Sequence, residues 1–208
     1  MPDRDAASWP ARLERGVAQR ALPGELRSGD RAVLAAYEGG ALVAAIDGLG
    51  HGIEAADAAE AAAKVLTEHP DEDPALLLAD CHRALARTRG AVMTLAWFDL
   101  DAGSLTWTGV GNVEGRLVRP NAGPRAPTQG ALTKGGVVGY KLPSIRVTGT
   151  DLEDGDVMVL ATDGIDSGFA RAIGAGGSAQ AIADRILAAH GKPSDDALVV
   201  VVRYLPPA

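Results

Sequence analysis

The chain is poor in the residues that staple or anchor a protein. Cys81 is its only cysteine among 208 residues, so no disulfide can form within it. Aromatic residues make up 4% of the chain although 47% of it is hydrophobic. The core is therefore expected to be aliphatic and alanine-rich, with elements in close approach. No apolar run reaches the ~18 residues that a membrane-spanning helix needs. The first twenty residues are charged and contain Pro10, with no apolar stretch of signal-peptide length. No membrane partner is expected, and the default location is the cytoplasm. Net charge is −7, and no cluster of lysine and arginine interrupts it. Nucleic acid is accordingly not an expected partner.

What the chain does have is glycine (26) and proline (12), which imply many turns. Its length suits one domain, 1–208, with roughly residues 1–20 as a partly ordered edge or arm. Apolar runs at 31–37 and 41–46 around Glu38-Gly39-Gly40 read as a hairpin. Residues 53–69, rich in Ala, Glu and Lys without Pro or Gly, read as a helix. A second helix is expected over 74–89, with Asp73 as N-cap and Pro74 at the first helical position. Then come a hairpin (91–100 with 104–110), a strand at 113–119, a loop at 121–130, and strands at 144–148 and 157–162. A helix at 178–190 precedes a terminal strand at 196–204, whose Val199–Val202 run suggests burial on both faces. Strands, two helices, many strands, helix, strand is an α+β order, unlike the alternation of a doubly wound parallel sheet.

Aspartates recur at the ends of these strands. Asp47 follows Ile46 and precedes Gly48; Asp163 sits in Thr162-Asp163-Gly164; Asp195 and Asp196 precede the last strand; Asp30 follows Gly29 before the first hairpin. Any one such aspartate reads first as a turn residue. The set of four sites is more specific, because carboxylates gathered at strand ends repel one another unless a cation neutralises them. Oxygen-only ligation favours Mg²⁺ or Mn²⁺. Gly48 would let its carbonyl approach such an ion, having no side chain in the way.

Gly29-Asp30, Asp47-Gly-Leu-Gly-His-Gly52, Ala161-Thr-Asp-Gly-Ile165 and Asp195-Asp-Ala-Leu-Val-Val-Val201 together resemble the PPM family of metal-dependent serine/threonine phosphatases, in its SpoIIE-like branch. Met93-Thr94, Gly109-Val-Gly-Asn112 and Gly135-Gly-Val-Val-Gly139 agree, and the resemblance runs from about residue 25 to 204. It implies two stacked antiparallel β-sheets flanked by α-helices, with two divalent cations, Mn²⁺ or Mg²⁺, at one edge. By resemblance Asp47 bridges the ions, the Gly48 carbonyl binds one, Asp163 and Asp195 hold the other, and Asp30 acts on the first. Asp47 and Asp163 then carry catalysis, through attack of a metal-bridged water on phosphoserine or phosphothreonine. Two departures stand out: Leu49 replaces the histidine that follows the bridging Asp-Gly in the eukaryotic branch, and no arginine matches that branch's phosphate clamp. His51, Arg27 and Arg31 are the only candidates nearby. In this branch the helix after the bridging aspartate is implied to act as a regulatory switch, and ordinary close packing of its small residues is the alternative.

With no sensor domain expected beside it, the chain is most similar to the feedback phosphatases of the bacterial stressosome. Phosphorylated STAS-domain proteins are then the expected substrates and partners. The rival readings are a SpoIIE-type phosphatase acting on an anti-sigma-factor antagonist, a non-catalytic phosphoprotein-binding relative, and a two-metal hydrolase of small phosphate esters.

Overall fold

The structure, a computed structural model, describes residues 8–120 and 128–207. Among the described residues, eleven strands run in chain order: β1 (Leu13–Arg20), β2 (Asp30–Tyr37), β3 (Gly40–Gly48), β4 (Ala91–Asp99), β5 (Ser104–Val110), β6 (Glu114–Val118), β7 (Gln129–Gly130), β8 (Thr133–Lys134), β9 (Thr148–Asp151), β10 (Val157–Ala161) and β11 (Ala197–Tyr204). The helices are α1 (Ile53–Glu68), α2 (Pro74–Ala84) and α3 (Ala179–His190), with a 3-10 segment at Ser167–Ala175.

One sheet has the order β1-β11-β10-β6-β7 and the other β2-β3-β4-β5-β8, with β9 on β5. All pairings are antiparallel except the short β5–β8 contact. Period-two alternation makes each central strand a wall between two cores. On β3, Leu42, Ala44 and Ile46 pack with α1 and α2, while Ala41, Val43 and Ala45 face the other sheet. On β11, Leu198, Val200 and Val202 face the first strands, and Ala197, Val199 and Val201 pack beneath α3. Helix, sheet, sheet, helix is thus the order of layers, the architecture expected from the sequence. Burying one such Leu or Val side chain stabilises the fold by roughly 1.5–3 kcal/mol.

Local chemistry sets the helix ends. Asp73 accepts from Ala75 N at 2.9 Å and Leu76 N at 3.2 Å, with Pro74 at the first turn. α1 stops at His69, before Pro70, which disfavours the helical conformation of the residue preceding it. α2 ends at Ala84 rather than 89, because the chain tightens into turns in which the Thr88 hydroxyl and N–H both donate to Leu85 O at 2.9 Å. Within the stretch 1–20 expected as a partly ordered edge or arm, residues 13–20 form a full edge strand, paired with β11 from Leu13↔Tyr204 to Arg20↔Ala197. The strand expected at 144–148 lies instead at Thr148–Asp151. The loop expected at 121–130 lies partly outside the described residues; its last two residues, Gln129 and Gly130, form β7.

Candidate active site

Antiparallel pairing gathers the aspartates at one end of the stacked sheets. Asp30 opens β2 and Asp47 lies near the end of β3, directly opposite it. β10 and β11 form the matching pair in the other sheet, with Ala161 opposite Val199. Asp163 follows β10 and Asp195 precedes β11. Two glycines permit the close approach. A Cβ on Gly48 would sit 2.1 Å from Ala55 O of α1, and one on Gly164 would sit 1.7 Å from Asp196 O. Neither position can carry a side chain without moving backbone.

Burial and mutual repulsion dominate the electrostatics. Asp30 is 3% exposed, and its carboxyl is pushed up to about 8, first by burial and then by Asp47. Burial and then Asp163 and Asp195 push Asp47 up to about 7. Asp195 is raised too, by burial and Asp163, while Lys192 opposes the shift. Such a set is destabilised by its own charge and suits a divalent cation, and its donors are all oxygen. The carboxylates are not drawn into a ready-made shell: among the described residues, no three Asp, Glu, His or Cys side chains are close enough to grip one ion. They face an open rim, Asp163 being exposed and Asp47 half-buried. A groove of about 750 Å³ between β2 and α1, lined by Arg31, Leu34, Asp57 and Ala61 among others, contains none of them.

Several further groups hold this edge. Thr162 Oγ1 donates to Asp30 Oδ2 at 2.7 Å and accepts from Leu198 N at 2.9 Å, tying the two sheets together. Asn112 Nδ2 donates to Asp163 Oδ2 at 2.9 Å, and Lys192 Nζ donates to Asp163 O at 2.5 Å. Asp196 is spent on backbone: Oδ1 accepts from Leu22 N and Oδ2 from Gly29 N, both at 2.8 Å. Thr162 and Asn112 lie within the sequence motifs above but carry no role there, and Lys192 has no local signal in the sequence. The structure turns Arg27, Arg31 and His51 elsewhere. Arg27 donates to Asp57 at 2.9 Å, Arg31 pairs with Glu60, and exposed His51 pairs with Glu25 at 2.7 Å.

The sequence matches the stage II sporulation protein E (SpoIIE) family over residues 37–205. The chain belongs to the SpoIIE family. SpoIIE proteins of this kind are PPM-type phosphatases, and the chain is by membership a protein-serine/threonine phosphatase. No curated protein matches it by sequence. Among solved structures, it is similar to a chain from work on the bacterial stressosome as a modular system adapted to control secondary messenger signalling. That likeness has 30% identity and a TM-score of 0.84, and covers 92% of this chain and 99% of that one. Crystalline RsbX in complex with magnesium shares 21% identity at a TM-score of 0.83, over 93% of this SpoIIE-family chain and 96% of RsbX. The catalytic domain of the phosphatase PstP, in complex with two manganese ions, shares 19% at a TM-score of 0.69, over 93% and 99%.

Proposed function

We propose that this SpoIIE-family chain is a metal-dependent phosphatase that removes phosphate from phosphoserine or phosphothreonine on STAS-domain stress-response regulators. The observation that carries the reading is the convergence of Asp30 and Asp47 from one sheet with Asp163 and Asp195 from the other. Asp30, Asp47, the Gly48 carbonyl, Asp163 and Asp195 would hold two divalent cations, Mn²⁺ or Mg²⁺. When bound, such ions activate water and neutralise the charge of the phosphate. The chain's own part is positioning. Asn112 orients Asp163, and Thr162 orients Asp30. The open rim suits a phosphorylated side chain presented by another protein rather than an enclosed small ester. Likeness to RsbX and to a stressosome-related chain of nearly the same extent supports a substrate within a stressosome-like system.

The test is phosphate release from a phosphorylated STAS-domain protein with Mn²⁺. Wild type is expected to turn over, and Asp47→Asn and Asp163→Asn to lose at least about a hundredfold, in line with loss of an electrostatic group from a transition-state site. Equal rates in all three proteins would overturn the proposal. Tight binding of the phosphoprotein without turnover would favour the non-catalytic reading instead.

A further inference from the structure

The rim where the aspartates meet is acidic, yet its substrate is a phosphate ester, which carries negative charge of its own. A cation supplied by the protein has to sit close by if the chain itself is to grip the phosphate. Arg27 and Arg31 are committed to acids of α1, and Arg89 pairs with Glu54. Lys192 is different. Its Nζ donates to a neutral carbonyl, Asp163 O, rather than to a carboxylate, and among the described residues no ion pair cancels its charge. Its charge also opposes, in part, the rise that burial and Asp163 impose on the Asp195 carboxyl. It therefore sits against the backbone of one proposed metal ligand, at the rim, and the residue remains exposed.

The backbone beneath it is fixed. Lys192 N donates to Gly164 O at 2.7 Å, and Lys192 O accepts from Arg20 at 2.5 Å. This staple ties the α3–β11 connection to the Asp163-Gly164 turn, so the lysine stem starts from a defined point. An ammonium has three donors, of which the carbonyl takes one. Lysine also serves phosphate as a compact point charge that can swing on its stem.

We infer that Lys192 is a substrate-binding residue, whose ammonium contacts the phosphate of the bound phosphoserine or phosphothreonine and takes the place that no arginine fills. The inference rests on the phosphatase reading above. Lys192 acts on binding: it lowers the dissociation constant of phosphate and of phosphate esters, and it leaves the ligand carboxylates in place.

The experiment compares wild type with Lys192→Met and Lys192→Arg, all loaded with Mn²⁺. Two probes are used: inorganic phosphate by isothermal titration calorimetry, and a small aryl phosphate ester by steady-state kinetics. Thermal midpoints, which should agree within a few degrees, check that the variants fold. In Lys192→Met, the phosphate dissociation constant and the ester KM are expected to rise about tenfold, the scale of one lost charge-assisted hydrogen bond, with kcat changed less than about threefold. Lys192→Arg is expected to recover most of the loss. Unchanged phosphate affinity and KM in Lys192→Met would overturn the inference. So would an effect confined to Mn²⁺ affinity, which would make Lys192 a counter-charge for the aspartates and nothing more. A wild type that turns over no phosphate ester would instead count against the phosphatase reading, and the calorimetry would still decide whether Lys192 binds phosphate.

Discussion

Two adjacent aspartates, Asp195 and Asp196, separate cleanly at the scale of single residues. Asp196 is 4% exposed and uses one oxygen for Leu22 N and the other for Gly29 N. An amide in its place has one acceptor, so either rotamer leaves one backbone N–H facing another donor. Asp196→Asn is expected to lose about 1–3 kcal/mol, the usual cost of a buried unsatisfied group, measured as a lower urea midpoint at unchanged slope. Asp195 is half-buried, and among the described residues its Oδ1 accepts only from the N–H of its own neighbour, at 2.9 Å. Asp195→Asn is expected to leave that midpoint nearly unchanged and to abolish Mn²⁺-dependent phosphate release. The pair shows what a motif carries and what it omits. The sequence marks Asp195-Asp196 as a unit, but the partners of Asp196 lie |i−j| = 174 and 167 residues away, at positions no local pattern points to.

Elements with a strong period were legible in the residues themselves. α1 and α3 were readable from helical composition, the two hairpins from Gly-containing turns, and β11 from its valine run. β1 was not, because its sequence, LERGVAQR, gains strand character only from pairing with β11, at the far end of the chain. The two-residue strands β7 and β8 lie below any window of periodicity. The 3-10 segment at Ser167–Ala175 is interrupted by glycines that hide its pattern. α1 carries a consequence of its own. Ala55, Ala58 and Ala62 are fully buried and Ala59 is 1% exposed, while the Ala55 backbone presses on Gly48. Ala59→Leu is expected to overpack this face, lowering stability by about 1–3 kcal/mol, and to weaken Mn²⁺ affinity because the helix braces a proposed ligand. A thermal melt and a metal titration of the folded variant would check both. Unchanged metal affinity would leave close packing as the only role of these alanines.

Across the whole molecule, the layer between the sheets decides whether there is a site. Phe98 is 1% exposed within it, one of few aromatic side chains available to fill space. Phe98→Ala is expected to lose about 3–5 kcal/mol, seen by chemical denaturation. Because the aspartates come two from each sheet, that loss should appear also as weaker metal binding before global unfolding. The architecture could be expected from strand count, element order and family resemblance together. The relative placement of the sheets could not, since it depends on long-range contacts such as the Thr162 hydroxyl on Asp30.

The pairing of β1 with β11 also imposes an order in time. During synthesis from the N-terminus, residues 13–20 emerge first and have no strand to join until residues 197–204 follow. Asp30 likewise waits for Thr162, |i−j| = 132 residues later. Closing such distant contacts is slow, since the chain loses loop entropy before the contacts reward it. The sheet containing β2, β3, β4 and β5 is built from neighbours in sequence and can form early. A nascent chain therefore holds half of the aspartate cluster without its counterpart, and the proposed metal site is complete only once the last strand has paired.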